Sequence, residues 1–168
     1  MKAERKYLAH YLDSKFDTSY NAPSYVRIGK DLTEFNVELS PEIETSANIL
    51  GENSVRHNGY GATSSPSPVY YEYDDALTDK VMEIAMLRKS GDACKTSYVE
   101  VLLKPGATSD AEPTIIRAVR EDVLLIPSSY GGDTSGVQIP FTINYTGNRV
   151  EGTWDMKTNT FTANETGL

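Results

Sequence analysis

The sequence has a single cysteine, Cys94, and two histidines, His10 and His57. A lone cysteine excludes a disulfide framework and a sulfur-rich metal site. Neither histidine stands at metal-ligand spacing from another ligand, so both are expected on the surface, His10 in a polar N-terminal arm and His57 in a long loop. Cys94 follows a predicted helix C-terminus beside Asp92, surroundings that raise a thiol pKa and leave no nucleophile. Cations are also in deficit. With 16 Lys and Arg against 24 Asp and Glu, the formal net charge is −8, which opposes a nucleic-acid-binding surface because such surfaces displace counterions with Lys and Arg. No apolar run reaches about 18 residues, and the opening MKAERKYLAHYLDSKFD lacks a signal-peptide core. Synthesis in the cytoplasm, without membrane insertion by the chain itself, is expected.

Chemistry-bearing motifs are equally scarce. Gly59-Tyr60-Gly61 and Gly131-Gly132-Asp133 lack the following Lys-Ser/Thr and the βαβ context of a phosphate cradle, so they read as turns. Asp74, Asp75 and Asp79 lack the alternating oxygen ligands and closing Glu of a calcium loop; helix capping explains them. The tyrosines of Val69 to Tyr73 suit strand packing better than a stacking platform for bases or sugars. No nucleophile, base or metal constellation emerges, and neither an enzyme nor a cofactor is expected.

What the chain does carry is β pattern. Its 168 residues fit one domain with two packed layers, and its 11 tyrosines and many Thr and Ser favour strands. The clearest stretch is 137–162, where Val137, Ile139, Phe141, Ile143 and Tyr145 take alternate positions. Gly147-Asn148 then predicts a hairpin turn into Val150, Gly152, Trp154 and Met156, and Lys157-Thr158-Asn159 a second turn into Thr160–Thr162. Pro140 cannot donate to a ladder and implies a bulge or an edge position there.

Earlier in the chain, residues 1–22 read as an arm with one short helical segment, from the spacing of Tyr7, Leu8, Tyr11 and Leu12. Ser24–Lys30 and Phe35–Ser40 alternate and predict a second hairpin, ended by Pro41. Residues 41–68, rich in Gly, Asn, Ser and Pro, read as a long functional or disordered loop that extends as a ribbon when it has a partner. Val69–Tyr73 predicts a strand. A helix is expected over about 75–89, with Asp74 or Asp75 as N-cap, Leu77, Val81, Ile84 and Ala85 on its buried face, and Gly91 as C-cap. Ser97–Leu103, Pro113–Val119 and Asp122–Ile126 predict three more strands, with 104–112 and 128–136 between elements. The apolar set Val26, Ile28, Phe35, Val37, Leu39, Ile139, Phe141, Ile143, Val150 and Trp154 is expected to form one core face.

Three stretches carry a resemblance: YVRIGKDLTEFNVELSPEIE (Tyr25 to Glu44), YYEYDDALTDKVMEIAML (Tyr70 to Leu87) and FTINYTGNRVEGTWDMKTNTFT (Phe141 to Thr162). In element order the chain resembles the tail tube proteins, or major tail proteins, of long-tailed bacteriophages. The resemblance implies a mainly β fold, a β-sandwich or half-barrel of two packed antiparallel sheets with one flanking α-helix at about 75–89 and a long loop at about 45–66. It also implies an N-terminal arm over 1–22, a tail-tube domain over 23–168, and a structural protein of the virion, made in the host bacterial cytoplasm. Six copies would form a ring with a continuous inner barrel, and stacked rings would make the conduit for genome delivery. Expected partners are further copies of the chain, the tape measure, the tail terminator and the distal tail protein, with DNA only a transient passenger.

On this resemblance the polar positions Glu34, Asn36, Glu38, Thr142, Asn144, Glu151, Thr153 and Asp155 are expected on one face lining the bore, where like charge keeps DNA from sticking. An ordinary solvated sheet face gives the same pattern. The loop, with Ile49, Leu50, Val55 and Tyr60, is expected to bridge subunits. Two other readings stand beside this one: a ring-forming needle subunit of type VI secretion, and a monomeric β-sandwich that binds carbohydrate or acts as an adhesin.

Overall fold

The computed structural model describes residues 1–16 and 22–164. Its strands are β1 (Leu8–Asp13), β2 (Tyr25–Ile28), β3 (Pro41–Ala47), β4 (Asn53–Tyr60), β5 (Thr63–Ser64), β6 (Lys95–Lys104) and β7 (Thr114–Pro127). After them come β8 (Gly131–Asp133), β9 (Gly136–Gln138), β10 (Phe141–Tyr145), β11 (Val150–Asp155) and β12 (Thr160–Ala163). One α-helix, α1 (Ala76–Leu87), lies between β5 and β6, and Arg5–Tyr7 and Gly91–Cys94 are short 3₁₀ turns. The chain is mainly β, with one large antiparallel sheet, two small ones and a single flanking helix among the described residues, consistent with a sandwich. Eight strands make the large sheet, in the order β12-β11-β7-β6-β1-β2, with β10 on β7 and β5 on β10.

The expected N-terminal arm is corrected by β1. Instead of a helical segment, Leu8–Asp13 is an inner strand between β2 and β6, and five of its six residues are buried. His10 and Leu12 point to one face of the sheet and Ala9 and Tyr11 to the other, so β1 is apolar on both sides and shows no alternation. The boundary expected at residue 22 falls between two strands that pair with each other, β1 and β2. Residues 17–21 of the expected arm lie outside the described residues.

The hairpin expected across Gly147-Asn148 does not form either. Phe141–Tyr145 pairs with Val123–Pro127, and Val150–Gly152 then pairs with Ala118–Arg120, so β10 and β11 run end to end along the same edge of β7. Residues 146–149 form a bulge. Four residues there face Glu121 and Asp122, and Glu121 holds the insertion: its Oε2 accepts the Gly147 N–H at 2.7 Å and its Oε1 accepts Arg149 Nη1 at 3.0 Å. The turn at 157–159 forms as expected and joins β11 to β12.

Continuing along β7 changes which side chains share a face. Phe141 and Ile143 fall with Leu12, Tyr98, Val123 and Leu125, the face covered by α1 through Leu77 and Val81. Trp154 falls on the opposite face with Ala9, Tyr11, Tyr25, Val99, Val101 and Ala118. The single core face expected from sequence is therefore two cores, one on each side of the sheet. Phe35, Ile139, Phe141, Ile143 and Trp154 are buried as expected, but Leu39 and Val150 are exposed.

Other elements depart more locally. The second expected hairpin is absent: residues 34–40 touch β5 and Ser67 only by isolated bridges at Glu34 and Glu38, and β2 pairs with β1 instead. Val69–Tyr73 meets the 137–139 segment through Tyr70 and Tyr71 without forming a strand. Pro140 divides its expected strand into β9, in a small hairpin with β8, and β10 in the main sheet. The two strands expected over 113–126 are one, β7. Helix α1 starts as expected, with Asp75 Oδ1 accepting the Leu77 N–H at 3.2 Å. It ends earlier, at Arg88, which takes the left-handed conformation (φ 51°, ψ 43°) expected of Gly91.

Candidate functional site

The long loop is an ordered hairpin. Pro41–Ala47 and Asn53–Tyr60 pair along their whole length, and the tip is fixed by Asn48, whose Oδ1 accepts the N–H groups of Leu50 and Glu52 at 2.9 and 3.0 Å. The stretch expected as a long loop over about 45–66, functional or disordered and a ribbon only with a partner, is thus a ribbon already in the single chain up to Tyr60. Alternation sorts the ribbon into two faces: Ile43, Thr45, Val55 and His57 on one, and Glu44, Ser46, Ser54 and Arg56 on the other. The polar face is self-satisfied, with Ser46 and Ser54 hydroxyls 2.8 Å apart and Asn58 Nδ2 donating to Glu44 at 3.3 Å. The apolar face and tip are bare. Ile43, Ile49, Leu50, Val55 and Tyr60 all exceed 60 % exposure, and no other element of the described chain covers them.

The hairpin springs from the end of a groove. Residues 35–39 lie over β1, β6 and β7, and beneath them is a cavity of about 490 Å³ lined by Leu8, Leu39, Leu102, Val119, Arg117 and Arg149. A second cavity of about 490 Å³ continues it toward β2, past Lys6, Arg27 and Lys30, and both share Arg5, Leu8, His10 and Phe35.

A polar chain forms the groove floor, buried at His10, Tyr98 and Glu121 and exposed at Arg5 and Arg149. Arg5 donates to the Leu8 and Phe35 carbonyls at 2.7 and 3.0 Å and to His10 Nε2 at 2.9 Å. Its donation fixes the His10 tautomer, leaving Nδ1–H to donate to the Tyr98 hydroxyl. Tyr98 in turn donates to Glu100 Oε2 at 3.2 Å, and Arg149 bridges Glu100 to Glu121. His10, expected on the surface, is 3 % exposed and stacks on Phe35 with ring centroids 4.0 Å apart. Burial, with the nearby Arg5 and Arg27 charges, pushes its pKa down to about 3, so the ring is neutral. Burial also raises Glu121 and pushes Tyr145 up to about 12. The bonds run in series from Arg5 to Glu121 and tie β1, β6 and β7 together. His57 is exposed, on β4, as expected. Cys94 is buried, and burial itself raises its thiol, where Asp92 was expected to.

The positions expected to line one face are divided. Thr142 and Asn144 pair with Ile126 and Leu124, whereas Glu151 pairs with Val119, and these β7 positions alternate. Thr142 and Asn144 therefore point away from the sheet face that carries Glu151 and Thr153. The reason is the bulge at 146–149, which replaces the reversal that would have brought them together. Glu34, Asn36 and Glu38 are exposed on the segment over the groove, and Asp155 sits at the turn into β12, its Oδ1 accepting the Lys157 N–H at 2.9 Å. Of the hairpin positions, Ile49 and Leu50 meet at the tip, and Tyr60 packs edge-on against His57 at its base, 4.6 Å between ring centroids. Sequence reasoning missed the groove, whose walls come from five separated segments; the only local signal was the pairing of Arg5 and His10 around an apolar strand.

Among the described residues no group of three His, Cys, Asp or Glu could hold a metal ion, and no helix is long and apolar enough to cross a membrane. A scan against protein-family models and a search of the curated proteins give no match.

Proposed function

We propose that this chain is a structural subunit that assembles with copies of itself into rings, stacked as a phage tail tube through which a genome is delivered. One observation carries the reading: the amphipathic hairpin Pro41–Tyr60, ordered along its length, presents apolar residues that none of the other described residues covers. A ribbon of this kind gains by burying its bare face on a neighbour. The end strands β2 and β12 leave two further open edges in the main sheet, which neighbouring copies can pair. The mainly β architecture with one flanking helix fits the resemblance in element order, and the negative charge suits a conduit for DNA. In this reading the chain has no catalytic role. It acts in the virion, and its partners are other copies and the proteins at the two ends of the tube.

Negative-stain electron microscopy of the purified protein at high concentration tests this. Hollow rods or six-fold rings are the expected result. Particles of single-chain size at every concentration would overturn it and favour a free binding module.

A further inference from the structure

We propose that the groove over β1, β6 and β7 binds a free, single-chain amphiphile, an apolar tail that ends in one carboxylate head. The site lies within one copy of the chain and does not require assembly. Its apolar part follows from what α1 leaves uncovered. Leu8, His10 and Leu12 alternate along β1 and share a face of the sheet. At one end of that face α1 seals Leu12, Tyr98, Val123 and Leu125 through Leu77 and Val81. At the other end the register sets Leu8 opposite Leu102, and Glu100 between His10 and Val119. There Leu8 and Leu102 stay 37 % and 38 % exposed, and Leu39 beside them 51 %. A mainly apolar cleft with a few converging polar groups is the usual form of a small-ligand site.

The head is assigned by the cations that have no anion of their own. Lys6 is paired with Glu4, Lys30 with Glu72, Arg117 with Glu151, and Arg149 with Glu100 and Glu121. Those charges are accounted for within the chain. Arg5 and Arg27 differ. Among the described residues Arg5 donates to the Leu8 and Phe35 carbonyls and to His10 Nε2, and Arg27 donates to the Lys6 carbonyl at 2.9 Å. All four acceptors are neutral. Both charges also reach the buried His10 ring, where they add to the effect of burial in keeping it uncharged. Glu34 is the one carboxylate lining the first cavity among the described residues, and its Oε1 accepts Asn36 Nδ2 at 2.8 Å. Two guanidinium groups against Glu34 leave one positive charge, which one carboxylate balances. Each guanidinium keeps N–H donors to spare, in a planar fork that matches carboxylate geometry.

Head and tail sites are continuous. The two cavities, about 490 Å³ each, meet at Arg5, Leu8, His10 and Phe35, so a carboxylate at the arginines of the first leads into a tail over the leucines of the second. An anion without a tail would leave those leucines wet. A tail without a charge would leave both arginines without a counter-ion. The cavities lie between the sheet and the segment 35–39, a shape that admits one chain and not the plane of a bilayer.

Isothermal titration calorimetry of the full-length protein with decanoate, kept below its micelle concentration, tests the site. Saturable binding of one decanoate per chain is expected, strengthening up to roughly fourfold for each methylene from hexanoate to decanoate. Decanol, which has the tail and no charge, and acetate, which has the head and no tail, should each bind at least about tenfold more weakly. Arg27→Gln should weaken decanoate about tenfold, whereas Lys80→Gln, which removes the same charge from α1 away from the groove, should leave it unchanged. Leu102→Asp puts a carboxylate in the path of the tail and should abolish binding. Arg5→Gln should match Arg27→Gln; it also releases the Phe35 carbonyl, so circular dichroism checks its fold, and Arg27→Gln decides the matter if that variant unfolds. Absence of binding at millimolar decanoate overturns the proposal, as do equal losses for Arg27→Gln and Lys80→Gln or a decanol affinity equal to that of decanoate. Sedimentation of the protein with vesicles of anionic phospholipid, without binding of free decanoate, overturns it in favour of a bilayer surface.

Discussion

Trp154 is the sharpest test of the two-core arrangement. Its side chain is 4 % exposed and packs on Tyr11 and Tyr25, with ring centroids 4.4 and 5.6 Å apart. Truncation to alanine removes the buried ring and leaves a cavity, a change that costs about 3–5 kcal/mol in cores. The two aromatic contacts, each about 0.5–1.5 kcal/mol beyond area, place Trp154→Ala in the upper half of that range. The indole Nε1–H, however, is buried without an acceptor among the described residues. An unpaired buried donor costs about 1–3 kcal/mol, so Trp154→Phe, which deletes the donor and keeps an aromatic ring, is expected to cost under about 1.5 kcal/mol. Urea unfolding followed by far-UV circular dichroism measures both, since the chain's one tryptophan cannot report on its own removal. With a denaturant slope of about 2 kcal/mol/M, a 4 kcal/mol loss moves the midpoint by roughly 2 M. A cost below about 1 kcal/mol for alanine would refute the second core. Equal costs for alanine and phenylalanine would mean that the indole nitrogen has a partner.

Protonation of His10 provides the pH test. The folded chain holds it near 3 and the unfolded chain near 6.5, so between those values only the unfolded state binds the proton. Stability should fall as pH drops through this window, by about 1.4 kcal/mol per unit from this group. His10→Gln should flatten that slope in pH-dependent urea titrations, and an unchanged slope would move the acid sensitivity elsewhere; Glu121, raised by burial, acts in the opposite sense. Arg88→Gly, at the left-handed helix end, should raise the melting midpoint through a gain of about 1 kcal/mol, and a loss would mean that the arginine side chain anchors the helix. Gly152→Val should open the β11–β12 hairpin, because a side chain there runs into the Thr162 carbonyl and the Phe161 ring. The expected cost is about 1–3 kcal/mol, with faster amide exchange at 160–163 as its signature.

What was legible in the sequence was local. Helix α1, β6 and the β11–β12 hairpin declare themselves because cap, periodicity and turn lie within a few residues of one another. β1 was hidden because its burial comes from both faces: Tyr7, Leu8, Tyr11 and Leu12 fit a helical stripe when the strands that sandwich Ala9 and His10 are out of sight. Gly147-Asn148 was a sound turn signal, overruled by Glu121, a carboxylate 26 residues away that makes the same residues a bulge. That one substitution of bulge for turn also explains why Trp154 was correctly expected to be buried yet on the wrong side. The ribbon at 41–60 read as a loop because its strands bury nothing, and periodicity in sequence reports burial more strongly than it reports pairing. Its apolar residues, singled out for exposure to a partner, are the ones that stand bare.

The placement of β1 sets an order of events. One of its two neighbours in the finished sheet, β6, is made long afterwards; His10 and Tyr98, which bond across the pair, are separated by 88 residues. A nascent chain therefore carries Leu8–Asp13 without its β6 neighbour until β6 has left the ribosome. Non-local pairing of this kind is slow and exposes sticky surface while it waits. Leu8–Asp13 is thus translated before β6 and locked in place only after it, while the bare ribbon at 41–60 is already made.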